Sequence, residues 1–190
     1  MKNFKIKIIV LISLIFLTAC STMQTTIKYE KKENVVWKQI EDPTIVLELE
    51  AGDIIVKEKT LNPIGMFGHA AIMKNDMIIV DYPKFGNKSY TIDVEYWLEK
   101  GRDILVLRYK DMNDEFKKRL IKNMEKYFGK DYKISFDKLN TDGFYYSQYI
   151  WYVYYITAQE MGFELDLDSD GGNFVFPYDL INSPYLEIIN

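Results

Sequence analysis

The sequence predicts an α+β domain in which an antiparallel sheet packs against a central buried helix and a second, amphipathic helix. Short apolar runs with strand periodicity fill the first half of the chain, helical patterns fill the second half, and the two kinds of segment do not alternate. A chain of 190 residues with 48% hydrophobic residues is long enough to form one packed core. Its 27% charged and 15% aromatic residues exclude a disordered, low-complexity chain.

The strands are predicted where apolar residues form short runs or alternate with polar ones, at residues 44–50, 54–56, 69–73, 77–80 and 103–109. Polar residues 74–76 separate the third and fourth of these segments. Because Asn and Asp side chains tolerate the dihedral angles of tight turns, the two segments are expected to form a hairpin.

Two helices are predicted after the strands. Asn113 or Asp114 can cap the first, in which apolar residues recur at helical spacing until Gly129 ends the pattern. The second covers residues 145–161 and is apolar nearly all the way round, which is typical of a helix buried on most sides. Its tyrosines and β-branched residues also allow a strand, but its length favours a helix.

The N-terminus is typical of a signal peptide. A cationic start precedes an apolar run at residues 8–17, and this run is shorter than the ~20 residues that a membrane-spanning helix needs. The sequence Leu-Thr-Ala before Cys20 resembles the lipobox of bacterial lipoproteins. That resemblance implies that residues 1–19 are removed and that Cys20 carries the lipid. The alternative is an incidental cysteine near the end of an ordinary signal peptide.

These observations predict the domain organisation and the location. Residues 20–36 are a polar tether, and residues 37–190 form the folded domain. We expect a protein held by its lipid to the cell membrane or the outer membrane, outside the cytoplasm. Loss of residues 1–19, with three lysines and no acidic residues, changes the net charge from −4 to −7. Such an acidic chain is not expected to bind nucleic acid.

The chain contains one cysteine and one histidine. A zinc site built from these residue types is therefore not expected, and we predict no metal and no cofactor. The histidine, His69, begins a predicted strand after Gly68, and Asp81 ends the next strand. In a hairpin these two side chains would be neighbours. A carboxylate beside an imidazole fixes the ring's tautomer, as in a catalytic triad. The alternative is a purely structural histidine.

Four segments resemble the permuted papain-like, NlpC-type hydrolases of the YiiX/YaeF-like group. They are Gly-Asp-Ile-Ile-Val at 52–56, Gly-His-Ala-Ala-Ile at 68–72, Phe-Tyr-Tyr-Ser-Gln at 144–148 and Phe-Pro-Tyr-Asp-Leu at 176–180. The resemblance implies a permuted papain-like fold, with His69 as the catalytic base and Asp81 as its orienting acid, where the family more often has Glu. It also implies an ancestral hydrolysis of amide or ester bonds in cell-wall peptides or acyl-amide compounds.

At the family's nucleophilic cysteine this chain has Tyr146. A phenol titrates near pH 10 and attacks amides poorly, so a catalytically impaired homologue is expected, which binds a cell-wall peptide or a lipid-like acyl-amide ligand. One alternative is an active amidase or esterase that uses Ser147 with His69 and Asp81. Ser147 is displaced by ~100° around the helix, which turns it away from the imidazole. Another alternative is a structural envelope lipoprotein.

An acidic segment near the C-terminus resembles the start of a calcium loop. Asp166, Asp168 and Asp170 precede Gly171 in the order D-x-D-x-D-G. The twelfth position of such a loop is Pro177 here rather than a bidentate glutamate. We therefore interpret the segment as an acidic turn before the last strand, with calcium binding as the alternative.

Overall fold

The computed structural model describes Lys32 and residues 35–38, 48–63, 65–99 and 101–189. The predicted signal peptide, Cys20 and most of the tether lie outside these residues. Of the first predicted strand, residues 48–50 are described and belong to no strand. Within the described part of the chain, no helix combines the length and the hydropathy needed to cross a membrane.

Six strands form one antiparallel sheet in the order β4-β3-β2-β1-β5-β8. Their bounds are Ile54–Lys57 (β1), His69–Met73 (β2), Ile78–Asp81 (β3), Tyr90–Asp93 (β4), Ile104–Tyr109 (β5) and Leu186–Ile188 (β8). Two short strands, Asp131–Tyr132 (β6) and Gly143–Phe144 (β7), pair in parallel. The predicted α+β class and antiparallel sheet are confirmed.

The helices are Val94–Leu98 (α1), Asp114–Tyr127 (α2), Tyr146–Glu160 (α3) and Pro177–Asn182 (α4). Asn113 caps α2, because its side chain accepts a hydrogen bond from the backbone N–H of Phe116. Gly129 follows this helix with a φ of +80°, a left-handed conformation that favours glycine. Both predicted helices are therefore present, close to their predicted bounds.

The sheet is apolar on both faces. Ile54 and Val56 point toward a core that includes buried residues of α2 and α3, whereas Ile55 points toward the opposite face, where Trp97 of α1 is buried. A strand covered on both sides is apolar at consecutive positions. This explains why β1, β2 and β3 appear in the sequence as short unbroken apolar runs.

Helix α3 has more buried residues than any other described helix, ten of its fifteen. Its tyrosine hydroxyls reach backbone acceptors. The Tyr149 hydroxyl donates to the Met124 carbonyl at 2.8 Å, and the Tyr154 hydroxyl donates to the Gly52 carbonyl at 2.7 Å. These hydrogen bonds remove the cost of burying polar groups and join α3 to α2 and to the turn before β1.

The prediction of a strand directly after the acidic turn is wrong. Val175 and Phe176 lead into α4 instead, and the last strand is β8. Pro177 at the first helical position favours a helix, because its fixed φ suits that position. The Asp179 carboxylate accepts a hydrogen bond from the backbone N–H of Phe176 at 2.6 Å, which caps the same helix.

Candidate functional site

His69 is the first residue of β2 and lies against Tyr146, whose hydroxyl is in turn close to the Arg102 guanidinium. We call the region between these three side chains the cleft. Gly68, immediately before it, has a φ of +77°, and a Cβ atom placed there would lie 3.0 Å from the carbonyl oxygen of Lys57. The backbone thus turns tightly before His69, which pairs with Lys57 across β1 and β2. The His69 side chain is 16% exposed, so its ring is partly open to solvent.

Asp81 is the last residue of β3 and holds the imidazole. His69 Nε2 and Asp81 Oδ1 are 2.8 Å apart. The β2–β3 register pairs Ile72 with Val80, which places Asp81 opposite Ala71 and diagonal to His69 on the same face. The hairpin expected from the sequence therefore brings the two side chains together, by a diagonal rather than a direct cross-strand pairing.

Two further donors hold the other oxygen of Asp81. The Tyr90 hydroxyl and the Trp97 indole N–H each donate to Oδ2 at 3.0 Å. Burial raises the pKa of Asp81, but the neighbouring imidazole and the three hydrogen bonds together outweigh it and lower that pKa below its usual range. The buried carboxylate thus stays ionised and orients the ring. No pattern in the sequence identifies Tyr90 or Trp97 as partners of Asp81.

Tyr146 is the first residue of α3 and lies against His69. The two ring centroids are 4.6 Å apart in an edge-to-face arrangement, and Tyr132 and Tyr145 lie next to the same phenol ring. Burial raises the pKa of the Tyr146 hydroxyl, and the Arg102 guanidinium opposes this only in part. The phenol is therefore neutral at physiological pH. No described residue forms a hydrogen bond with its hydroxyl.

Ser147 lies on the other side of the same helical turn. Its side chain is fully buried, and its hydroxyl donates to the Val175 carbonyl at 2.6 Å. The Val175 N–H in turn donates to the Tyr145 hydroxyl at 2.8 Å. Among the described contacts, Ser147 hydrogen-bonds to Val175 and does not contact His69. Its position in the helix predicts this direction.

Arg102 contributes a cation beside this cleft. One of its terminal nitrogens donates to the Glu58 carbonyl and lies 3.5 Å from the Lys57 carbonyl. Its Nε is buried and has no hydrogen-bond partner among the described residues. Burial lowers the pKa of Arg102, whereas the nearby phenols of Tyr178 and Tyr146 raise it. No pattern in the sequence identifies Arg102, because it lies between strands, outside any motif.

The acidic residues near the C-terminus form a separate cluster. Asp168, Asp170 and Asp179 each offer one carboxylate oxygen, and these oxygens lie within 4.8 Å of one another. Asp166 is not in the group, and its carboxylate accepts from the Trp151 indole N–H at 2.7 Å. Burial, together with the neighbouring carboxylates, raises the pKa of Asp179 to about 7.

This cluster already contains a cation. The Lys138 ammonium lies 2.5 Å from Asp168 Oδ2. Three carboxylate oxygens are fewer than the six to eight oxygen ligands that calcium takes, and the group lacks the imidazoles or thiolates typical of a zinc site. The Lys138 ammonium therefore already compensates part of the negative charge of the three aspartates.

No family model matches the sequence, and no curated protein matches it. A solved structure does match, that of the metalloprotein YiiX from Escherichia coli O157:H7, with a TM-score of 0.54 and 16% sequence identity. The match covers 76% of this chain and 98% of that chain. The chain has a YiiX-like fold. At this identity the match shows the fold alone, and the roles of the site residues depend on their own geometry.

Proposed function

We propose that this is a lipid-anchored protein of the cell envelope, with a permuted papain-like fold, that binds a cell-wall peptide or acyl-amide ligand without turning it over. The observation that carries this proposal is the contact between His69 and Tyr146, whose ring centroids are 4.6 Å apart. An oriented imidazole faces the first residue of a buried helix, as in a thiol hydrolase, but the facing group is a neutral phenol.

The polar groups of the cleft suit a ligand that contains an amide. The Tyr146 hydroxyl has no hydrogen-bond partner among the described residues, and the Arg102 guanidinium is close enough to act on the pKa of this hydroxyl. A ligand carbonyl or carboxylate can accept from donors of this kind, and such a bond removes the penalty of leaving a donor unpaired. His69, held by Asp81, supplies a third polar group at the same place.

The same geometry disfavours turnover. Burial keeps the Tyr146 phenol in its neutral form, which is a poor nucleophile. The Ser147 hydroxyl donates a hydrogen bond to the Val175 carbonyl, and the Ser147 side chain is fully buried. Covalent catalysis requires a nucleophile within hydrogen-bond reach of its base, and neither hydroxyl group meets this requirement among the described contacts. This argues for a binding protein over the Ser147 hydrolase.

YiiX is named a metalloprotein, but we do not extend a metal to this chain. The acidic cluster around Asp168 already holds the Lys138 ammonium. The proposed binding of a peptide or acyl-amide ligand requires no metal.

The anchor is tested by the mass of the mature N-terminus. We expect the purified envelope form to begin at a diacylated or triacylated Cys20 and to partition with membranes. Cys20→Ala is expected to abolish acylation and leave the leader uncut. An unmodified Cys20 within a cleaved, freely released protein would contradict the anchor.

The binding function is tested with two soluble probes, a cell-wall tripeptide and an N-acyl amino acid. A ligand that binds only the native state raises its melting temperature, so we expect a rise with at least one probe, and no cleavage product by mass spectrometry. Arg102→Gln should reduce this rise, whereas Arg119→Gln, a matched change on the exposed face of α2, should leave it unchanged.

Restoring the thiol provides the complementary test. Tyr146→Cys places a thiol beside His69 and is expected to produce cleavage of the probe that the natural chain binds. Cleavage by the unaltered chain, lost in Ser147→Ala and His69→Ala, would favour the hydrolase instead. No thermal shift with either probe would favour the structural alternative.

A further inference from the structure

Four phenylalanines form a continuous apolar surface beside the cleft, which we call the aromatic stripe. Phe67 and Phe176 stack with their ring centroids 5.6 Å apart, and the Phe176 centroid lies 6.3 Å from that of Phe174. The Phe174 centroid in turn lies 5.0 Å from that of Phe136. The stripe thus joins the loop before β2, the residues before α4 and the loop after β6.

The stripe is open to solvent. Phe67 is 50% exposed and Phe136 is 78% exposed. Core phenylalanines of the same domain behave differently, since Phe116 is 1% exposed and Phe144 is fully buried. The fold therefore has room to bury aromatic rings, yet it leaves these rings outside. A contiguous exposed apolar patch usually marks a surface that another molecule or a membrane covers.

The tether meets the domain close to this stripe. The backbone N–H of Lys32 donates to the Asn182 side chain at 3.0 Å, and Trp37 lies against Tyr178 with ring centroids 5.8 Å apart. Asn182 ends α4, and Phe176 immediately precedes that helix. A six-residue helix is about 9 Å long, so the tether joins the domain at about that distance from the stripe.

We infer that the aromatic stripe lies in the headgroup region of the membrane that holds the Cys20 lipid. Eleven residues lie between Cys20 and Lys32, and the twelve steps from one to the other span at most about 43 Å when the chain is fully extended. The anchor therefore keeps the stripe within reach of the bilayer. This inference rests on the lipid anchor of the proposed function.

Apolar burial drives this contact, not charge. The mature chain is acidic, so anionic headgroups would repel it rather than attract it. Phenylalanine side chains favour the boundary between headgroups and acyl chains, where apolar surface is removed from water. Attachment of the stripe should therefore occur on uncharged phosphatidylcholine.

This orientation has a consequence for the ligand. Phe67 is two residues before His69, and a Cβ atom placed on Gly68 would lie 3.6 Å from Pro177, next to Phe176. With the stripe on the bilayer, His69 lies close to the lipid surface. Between the two proposed ligand classes, this favours an acyl amide that remains partly in the membrane while its polar group reaches His69.

The test measures the depth of two single residues. The full lipidated chain is reconstituted in phosphatidylcholine vesicles whose acyl chains carry bromine, which quenches nearby tryptophan. Phe136→Trp reports on the stripe. Tyr96→Trp is the matched control, because Tyr96 is 60% exposed and belongs to α1, on the opposite face of the sheet. The unaltered chain supplies the background from the natural tryptophans.

We expect quenching at position 136 at least about twofold greater than at position 96, as for a side chain inserted at the interface. The double change Phe67→Ser and Phe174→Ser should reduce the quenching of the tryptophan introduced at position 136. Equal quenching at both positions overturns the inference. The inference is also overturned if quenching of the introduced tryptophan falls as the protein concentration rises. The stripe would then be covered by a second copy of the chain.

The outcome separates this inference from the proposed function. If the cleft binds neither soluble probe, the quenching pattern is unaffected, because it depends on the stripe and the anchor alone. If the chain does not sediment with vesicles at all, the anchor is wrong and the inference fails with it. If a probe binds but the tryptophans at positions 136 and 96 are quenched equally, the proposed function is supported and the orientation of the stripe on the membrane is rejected.

Discussion

The first turn of α3 has two sides, and they serve different purposes. On the cleft side, Tyr146 lies against His69 and its hydroxyl bonds to no described residue. On the core side, Ser147 is fully buried and its hydroxyl donates to Val175. Two adjacent hydroxyl residues thus differ completely in their partners. The Tyr146 hydroxyl bonds to no described residue, and the Ser147 hydroxyl joins the loop at Val175 to the helix.

The difference teaches that both the direction of a side chain and its chemistry decide whether a hydroxyl near His69 can react, because Ser147 points away from the ring and Tyr146 faces it as a neutral phenol. Successive residues of a helix point ~100° apart, which is enough to turn Ser147 from the cleft to the core. A nucleophile moved by one position therefore loses its base. Substitutions on the two sides of this turn should therefore have separate effects.

The largest effect is expected on the cleft side, where Asp81 accepts three hydrogen bonds. Asp81→Ala leaves the donors of His69, Tyr90 and Trp97 without their acceptor. Because each unpaired buried donor costs about 1–3 kcal/mol, we expect a loss of at least about 3 kcal/mol in the free energy of unfolding. Urea denaturation measures it. Asp93→Ala, an exposed change on β4, is the control and should alter stability by less than about 0.5 kcal/mol.

The same residue gives a pH dependence. Because the folded pKa of Asp81 is lowered, its ionised form contributes stability above the unfolded value of about 3.9, and this contribution is lost as the pH falls through the lower folded pKa. Asp81→Asn lacks the titrating group. The difference in the free energy of unfolding between the natural chain and this variant should therefore be largest at about pH 6 and become smaller at acidic pH. A difference that does not vary with pH would show that the carboxylate is not ionised.

The core side should show a smaller effect. Ser147→Ala removes the donor to the buried Val175 carbonyl, and we expect a loss of about 1–2 kcal/mol. Ser135→Ala is a matched control, since Ser135 accepts only an exposed local hydrogen bond from Asp137. Equal effects of the two changes, measured by urea denaturation, would mean that the Ser147 hydrogen bond does not stabilise the loop.

Much of this turn follows from the sequence. The apolar run at residues 145–161 identifies a buried helix, and the hairpin pattern places His69 next to Asp81. Both inferences depend on periodicity over several residues, which local patterns define well. The position of Ser147 on the core side also follows, because helix geometry fixes its angle relative to Tyr146.

Other parts of the site were not accessible in this way. Tyr90 and Trp97 reach Asp81 through β4 and α1, which alternate polar and apolar residues too briefly to be identified. Arg102 approaches the cleft through a tertiary contact with Glu58 that no local pattern encodes. The strand predicted before the C-terminus is instead α4, because its proline start and its capping carboxylate outweigh the β-branched and aromatic residues before it.

Cysteine substitutions at positions 146 and 147 allow a direct comparison of the two sides of the first turn of α3. In Tyr146→Cys the thiol faces His69, which favours the thiolate, whereas in Ser147→Cys it is buried in the core, which disfavours it. We expect iodoacetamide to label position 146 at least about tenfold faster than position 147 at about pH 7. Peptide mass spectrometry separates both products from Cys20. Adding His69→Ala to Tyr146→Cys should slow its labelling, and an unchanged rate would show that the imidazole does not act on this position.

The smallest effect is expected from Tyr146→Phe. The phenyl ring keeps its edge contact with His69, and the hydroxyl that is removed bonds to no described residue. Stability should therefore change by less than about 0.5 kcal/mol, because no buried partner is left unpaired. Binding of the cell-wall tripeptide or the N-acyl amino acid should weaken in the same variant, because the ligand loses a donor. A large loss of stability with unchanged binding would contradict this assignment, because the Tyr146 hydroxyl would then stabilise the turn rather than bind a ligand.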